Sequence, residues 1–323
     1  HWAPDPDSRP KDFYQTEYDV SSWDAIPVPS SWNIYGIQKD GSQKYGTPIY
    51  VNQPVIFQHS VKVDDWRGGV MRTPPANWTT YKDRNEVGSF RRDFEIPQDW
   101  DGREVFISFD GVDSFFYLWI NGQYVGFSKN SRNAANFNIT PYLQKGKNTV
   151  AAEVYRSSDG SFLEAQDMFR LPGIFRTVAL YSVPKVHFRD LVATPDLDAT
   201  YTDGSLTVNA EIRNLDKKAI KDYKVYYSLY ANKLYSDENT LVDGFLSPVI
   251  DKIAPNETGS VQTVLKVKAP NKWSAEFPYR YTLVAELKDK KNRTVEMVST
   301  IVGFRKVEIK DTPASEDEFG LAG

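Results

Sequence analysis

The sequence predicts an all-β protein made of two successive β-sandwiches. Three features carry that reading. Apolar and polar residues alternate with a period of two in run after run, as they do along half-buried strands. Gly, Pro, Asn and Asp break these runs at short intervals and so mark turns. No sustained 3.6-residue periodicity is present, so no long amphipathic helix is expected.

Residues 1–60 read as loop-rich. Pro4, Pro6, Pro10, Pro27, Pro29, Pro48 and Pro54 block helices and confine strands to short or edge positions. Residues 61–87 read as an excursion, polar and Gly-containing at first, then turning at Thr73-Pro74-Pro75-Ala76. Residues 87–96 alternate as a strand with Phe90, Phe94 and Ile96 on one side, and Val105, Ile107 and Phe109 alternate again. Residues 115–120 are apolar on both faces, as in a central strand covered on both sides. Asn121-Gly122 is a type I′ hairpin signal, and 124–127 is its return strand. Strands follow at 137–139, 149–155 and 174–181. A two-sheet jelly roll over residues 1–183 accommodates them.

A boundary is expected near Val183-Pro184-Lys185. Beyond it Leu206, Val208, Ala210 and Ile212 alternate, as do Val225, Tyr227 and Leu229, and Tyr281, Leu283, Ala285 and Leu287. About seven short strands with turns between them fit an immunoglobulin-like sandwich over 184–309, without the Cys pair of antibody domains. Residues 310–323 are acidic, contain Pro313, Gly320 and Gly323, and read as a linker.

Composition removes several classes of function. A net charge of -4 gives no footprint for nucleic acid. With 0 Cys, disulfides, thiol catalysis and Cys-based metal sites are excluded. No apolar run reaches the ~18–20 residues of a membrane helix. His1, His59 and His187 lie far apart and show no metal spacing. The chain opens on His1-Trp2 without Met or a signal-peptide pattern, so it reads as a processed or excised piece; cytoplasm and periplasm both stay open.

The stretch Ser158-Asp159-Gly160-Ser161-Phe162-Leu163-Glu164-Ala165-Gln166-Asp167-Met168-Phe169-Arg170-Leu171-Pro172-Gly173-Ile174-Phe175-Arg176 concentrates three carboxylates, a Gln and two Arg. Gly160, Pro172 and Gly173 make it a loop between strands rather than a strand or helix, the usual place for function on a β scaffold. It resembles the signature of glycoside hydrolase family 2, and most closely that of the large bacterial-type β-galactosidases. The resemblance extends to Trp23-Asp24-Ala25-Ile26-Pro27-Val28-Pro29-Ser30-Ser31-Trp32, to the blocks 110–122 and 131–140, and to Lys272-Trp273 and Val302-Gly303-Phe304 in the second half. It implies a jelly-roll, galactose-binding-like domain, then an immunoglobulin-like domain, from the N-terminal part of a retaining enzyme that removes terminal β-D-galactosyl residues. His1-Trp2 resembles the end of a strand that family members carry earlier.

Retaining glycosidases need two carboxyl groups about 5–5.5 Å apart. Sequence alone leaves Glu164 with Asp167 or Asp159 as a pairing. The resemblance argues against it, because the family's two catalytic Glu residues lie on a (β/α)8 barrel beyond the linker. No catalytic residue is therefore expected in this chain, which alone is expected to be inactive. The resemblance gives Asp167 a role on substrate hydroxyls and as a ligand of a sodium ion shared with the barrel, and Asn85 a substrate contact. Glu86 departs from the Pro usual after that Asn. Magnesium is implied only for the full-length enzyme. Asp159 matches a divalent-cation ligand of some relatives, but Lys129 stands where a further ligand would fall, so no such site is expected. The implied partners are a β-galactoside, the catalytic domain and further copies of the full-length chain. A β-glucuronidase or β-mannosidase on the same architecture, and a free-standing carbohydrate-binding module, are the alternatives.

Overall fold

The computed structural model describes residues 1–48, 85–164 and 168–311. The excursion expected after residue 60, together with Gln166, Asp167 and the linker from residue 312, lies outside the described residues. The chain divides into two compact units, His1–Ser182 and Val183–Gly323.

In the first unit the strands are β1 (Trp2–Ala3), β2 (Val87–Glu95), β3 (Glu104–Phe109), β4 (Val112–Asp113), β5 (Phe115–Ile120), β6 (Gln123–Ser128), β7 (Ala135–Asn138), β8 (Lys147–Tyr155), β9 (Gly173–Ile174) and β10 (Val178–Val183). One sheet has the order β1-β2-β8-β5-β6, a second the order β10-β3-β7, and β4 pairs with β9 in a short ribbon. Phe116, Leu118 and Ile120 of β5 are buried in one cluster with Val105, Ile107 and Phe109 of β3. The other face of β5 is covered differently. Tyr14 stacks on Trp119 at 4.9 Å, and the buried Phe13 meets the same ring edge-on. The doubly apolar run is thus a central strand, as expected, covered on one side by the N-terminal loop.

The Asn121-Gly122 turn forms with φ of 49° and 78°, the left-handed pair that a type I′ hairpin requires. The single strand expected at 174–181 is instead two. β9 pairs with β4 and β10 with β3, and between them the Phe175 and Arg176 N–H groups both donate to the Gly111 carbonyl. Period-two alternation alone does not register such a break.

The second unit contains β11 (Val186–Leu197), β12 (Gly204–Asn214), β13 (Lys224–Asn232), β14 (Asn239–Leu246), β15 (Thr258–Val267), β16 (Tyr281–Lys288) and β17 (Thr294–Val302). Sheets β11-β12-β15 and β14-β13-β16-β17 form an immunoglobulin-like sandwich. The alternating residues of β12, β13 and β16 are its core: Leu206, Ile212, Tyr227, Leu229 and Leu283 are all 0% exposed. Lys272 bridges to Phe304, and the Arg305 guanidinium sits 4.9 Å from the Trp273 ring, so the two sequence landmarks of this half meet.

Candidate functional site

The carboxylate-rich stretch leaves the end of β8 and is tied back to the segment between β6 and β7. Its start was expected to be irregular; residues Ser161–Glu164 form one helical turn. The turn closes because the Ser158 N–H donates to Ser161 Oγ at 3.0 Å while the Glu164 N–H donates to the Gly160 carbonyl. Such local side-chain bonds compete with a plain loop and are invisible to hydrophobic pattern. The Glu164 carboxylate then accepts two bonds from Ser131, one from its N–H at 3.0 Å and one from its Oγ at 2.5 Å. Lys129 Nζ pairs with Asp159 at 2.9 Å, so an ammonium already neutralises the residue that the resemblance linked to a divalent cation.

Asp113, Ser131, Arg132, Arg156, Glu164 and Arg170 line a cleft beside this turn, with Met168 and Phe169 exposed at its mouth. Burial pushes the Asp113 carboxyl up to about 6, and the Glu164 charge adds to the effect; Arg132, Arg156 and Arg170 oppose it. Arg132 Nη2 lies 3.7 Å from Asp113. Sequence reasoning did not single out Asp113. Its perturbation comes from groups on three other segments, and nothing local signals it. The carboxyl titrates near 3.8 when unfolded, so between about pH 4 and 6 the folded protein holds a proton that the unfolded chain has lost. Stability of the first unit is therefore expected to fall as pH rises through that window, by at most about 3 kcal/mol. Urea midpoints from pH 4 to 7 check this. Asp113→Asn should flatten the slope, and an unchanged slope in that variant would refute the assignment.

Asn85 is buried, and its Oδ1 accepts the Ser157 N–H at 2.9 Å. The structure thus brings Asn85 to the root of the motif loop. Its neighbour Glu86 was noted only as a departure from the family pattern, yet it is the hub of a buried network. Its carboxylate pairs with Arg156 at 2.5 Å and accepts from Trp32 Nε1 at 3.0 Å and Asn33 Nδ2 at 3.1 Å. Burial lowers the Arg156 pKa while Glu86 opposes the shift. Arg156 also donates to the Thr47 carbonyl at 2.7 Å.

Among the described residues no group of three or more His, Cys, Asp or Glu gathers to hold a metal. Asp113 and Glu164 share their cleft with three arginines. That donor set does not fit a bare cation. Asp167, the sodium ligand that the resemblance implies, lies outside the described residues.

The first unit in full and most of the second match family models. Residues 1–184 match the glycosyl hydrolases family 2 sugar binding domain, and residues 186–305 match a second model of glycosyl hydrolases family 2. The chain belongs to glycoside hydrolase family 2. A β-galactosidase of Priestia megaterium is 39% identical over 311 residues, which is 96% of this chain and 28% of that protein. One from Halalkalibacterium halodurans is 35% identical over 309 residues, 96% of this chain and 27% of that protein. The family 2 chain therefore spans under a third of the length of these relatives. Among solved structures, a Bacteroides uniformis β-glucuronidase aligns with a TM-score of 0.70 at 20% identity, over 95% of this chain and 32% of its own. A putative β-galactosidase from Bacteroides fragilis aligns with a TM-score of 0.62 at 18% identity, over 89% of this chain and 37% of its own. At those identities the likeness is one of fold.

Proposed function

We propose that this chain is the N-terminal, non-catalytic part of a β-galactosidase, and that it supplies scaffold and a substrate-side loop to a catalytic barrel carried elsewhere in the full protein. The observation that carries the reading is the match to proteins named β-galactosidase over 96% of the chain. The site geometry supports it. Glu164 spends its carboxylate on Ser131, and Asp113 faces Arg132. The first is locked as a loop tie and the second as a buried partner of cations, so neither is free to serve as a nucleophile. The chain's own contribution is to hold the start of this loop, residues 157–164, through Ser131, Lys129 and Asn85. A sodium ion bound at Asp167 would supply a fixed positive charge for galactosyl hydroxyls.

The test is an assay on a chromogenic β-galactoside, comparing residues 1–323 with the same chain continued through a catalytic domain. Turnover is expected only in the longer protein. Retaining hydrolysis by residues 1–323 alone would overturn the reading. A panel of β-glucuronide and β-mannoside substrates separates the sister activities, and calorimetry of residues 1–323 with galactose and lactose separates a free-standing binding module. In the longer enzyme Asp167→Asn is expected to lower kcat/KM by about 10²-fold, the loss that about 2.7 kcal/mol of transition-state stabilisation represents. Kinetics matching the parent would remove Asp167 from the site.

A further inference from the structure

The buried network around Glu86 reaches both ends of the 158–176 stretch. The leading end is Arg156 and Ser157, where the chain leaves β8. The Arg156 N–H donates to the Glu86 carbonyl at 2.9 Å, and the Ser157 N–H donates to Asn85 Oδ1. The Arg156 guanidinium pairs with Oε1 of the Glu86 carboxylate. The trailing end, residues 172–174, is held by residues 30–32. The Ser30 N–H donates to the Ile174 carbonyl at 2.9 Å, and the Trp32 N–H to the Pro172 carbonyl at 3.3 Å. The approach is close: a Cβ on Gly173 would fall 2.7 Å from the Ser30 carbonyl oxygen. Trp32 carries this segment back to Glu86. Its ring lies across Gly88, where a Cβ would meet it at 2.7 Å, and its Nε1 donates to Glu86 Oε2. Asn33 Nδ2 donates to the same oxygen.

We infer that Glu86 is a positioning residue: one carboxylate oxygen holds the leading end of the stretch and the other holds the trailing end, so the side chain sets how far apart the two ends stand. The inference rests on the reading of this stretch as a substrate-side loop. The residue type follows from the donors. An ionised carboxylate accepts at both oxygens, whereas an amide accepts at one and turns an NH2 group towards donors. Trp32, Asn33, Glu86 and Arg156 are all buried, so a bond lost here is not replaced by one to bulk water.

Hydrogen exchange of the 323-residue chain tests the tie itself. The Ser157 amide reports the leading end, and the Ser30 and Trp32 amides report the trailing end. Glu86→Gln should speed exchange at all three by about tenfold relative to Leu118 and Val154 in the sheet, the loss of about one net hydrogen bond. Glu86→Leu with Arg156→Met, which leaves no buried charge alone, should show the same pattern. Trp32→Phe keeps a ring over Gly88 but removes Nε1, and should speed the two trailing amides only. If either Glu86 variant loosens one end and not the other, the ends are held independently and the inference fails. The second readout is kcat/KM of the same chain continued through a catalytic domain. There Glu86→Leu with Arg156→Met should melt close to the parent, yet lose about tenfold or more in kcat/KM, as misplaced substrate-side groups do. Parent-like kcat/KM would overturn the positioning role. A parent that itself hydrolyses no β-galactoside would overturn the proposed function instead, and hydrogen exchange would still decide whether Glu86 joins the two ends.

Discussion

Glu86→Ala is expected to destabilise the first unit by about 3–5 kcal/mol, the cost of leaving a buried partner charge uncompensated. Arg156 would keep its guanidinium in a site where its side chain is 4% exposed. Trp32 Nε1 and Asn33 Nδ2 would lose a shared acceptor as well. The carboxylate is closely packed. Gly46 lies against it with φ of +71°, and a Cβ there would fall 2.2 Å from Glu86 Oε1. A urea or thermal melt of the first unit measures the loss. The double variant Glu86→Leu with Arg156→Met should recover most of it, because removing both charges abolishes the desolvation cost that removing one exposes. A single variant within about 1 kcal/mol of the parent would mean that the pair is hydrated and unimportant.

Phe304→Ala is expected to cost the second unit about 3–5 kcal/mol. The ring is 0% exposed and meets Tyr281 edge-on at 5.2 Å. Its backbone carbonyl accepts the Trp273 N–H at 2.9 Å, so it also anchors the 272–278 segment. The ring packs against Gly204 at the start of β12 and against the Tyr281 ring. Gly204 approaches so closely that a Cβ there would lie 2.8 Å from the ring, which leaves little room for collapse to fill the void. Calorimetry should show the second unit melting lower while the first is unchanged. A loss below about 1 kcal/mol would show that the sandwich closes over the gap. Phe304→Leu, which keeps most of the volume, should lose less than half as much.

The elements legible in the sequence were those set by short-range rules. β12 and β16 alternate over eight or more residues with one face buried, so pattern and burial coincide. Asn121-Gly122 specified its own turn, because few residues accept two successive left-handed conformations. The motif loop stood out by its concentration of polar groups. Its helical turn did not, since that turn rests on hydrogen bonds among Ser158, Gly160, Ser161 and Glu164. The strand at 174–181 broke because Gly111, far back in the chain, claims two of its amides.

Local periodicity and one long contiguous motif were enough to set the class of each sandwich, the strands that alternate cleanly, and the family. Folding alone pairs Glu86 with Arg156 across 70 positions, buries Asp113 so that its carboxyl holds a proton despite three nearby arginines, and lets Ser131 tie down Glu164. Each of these depends on desolvation and on distances between residues remote in sequence. A pattern of residue types carries neither quantity until the chain is folded.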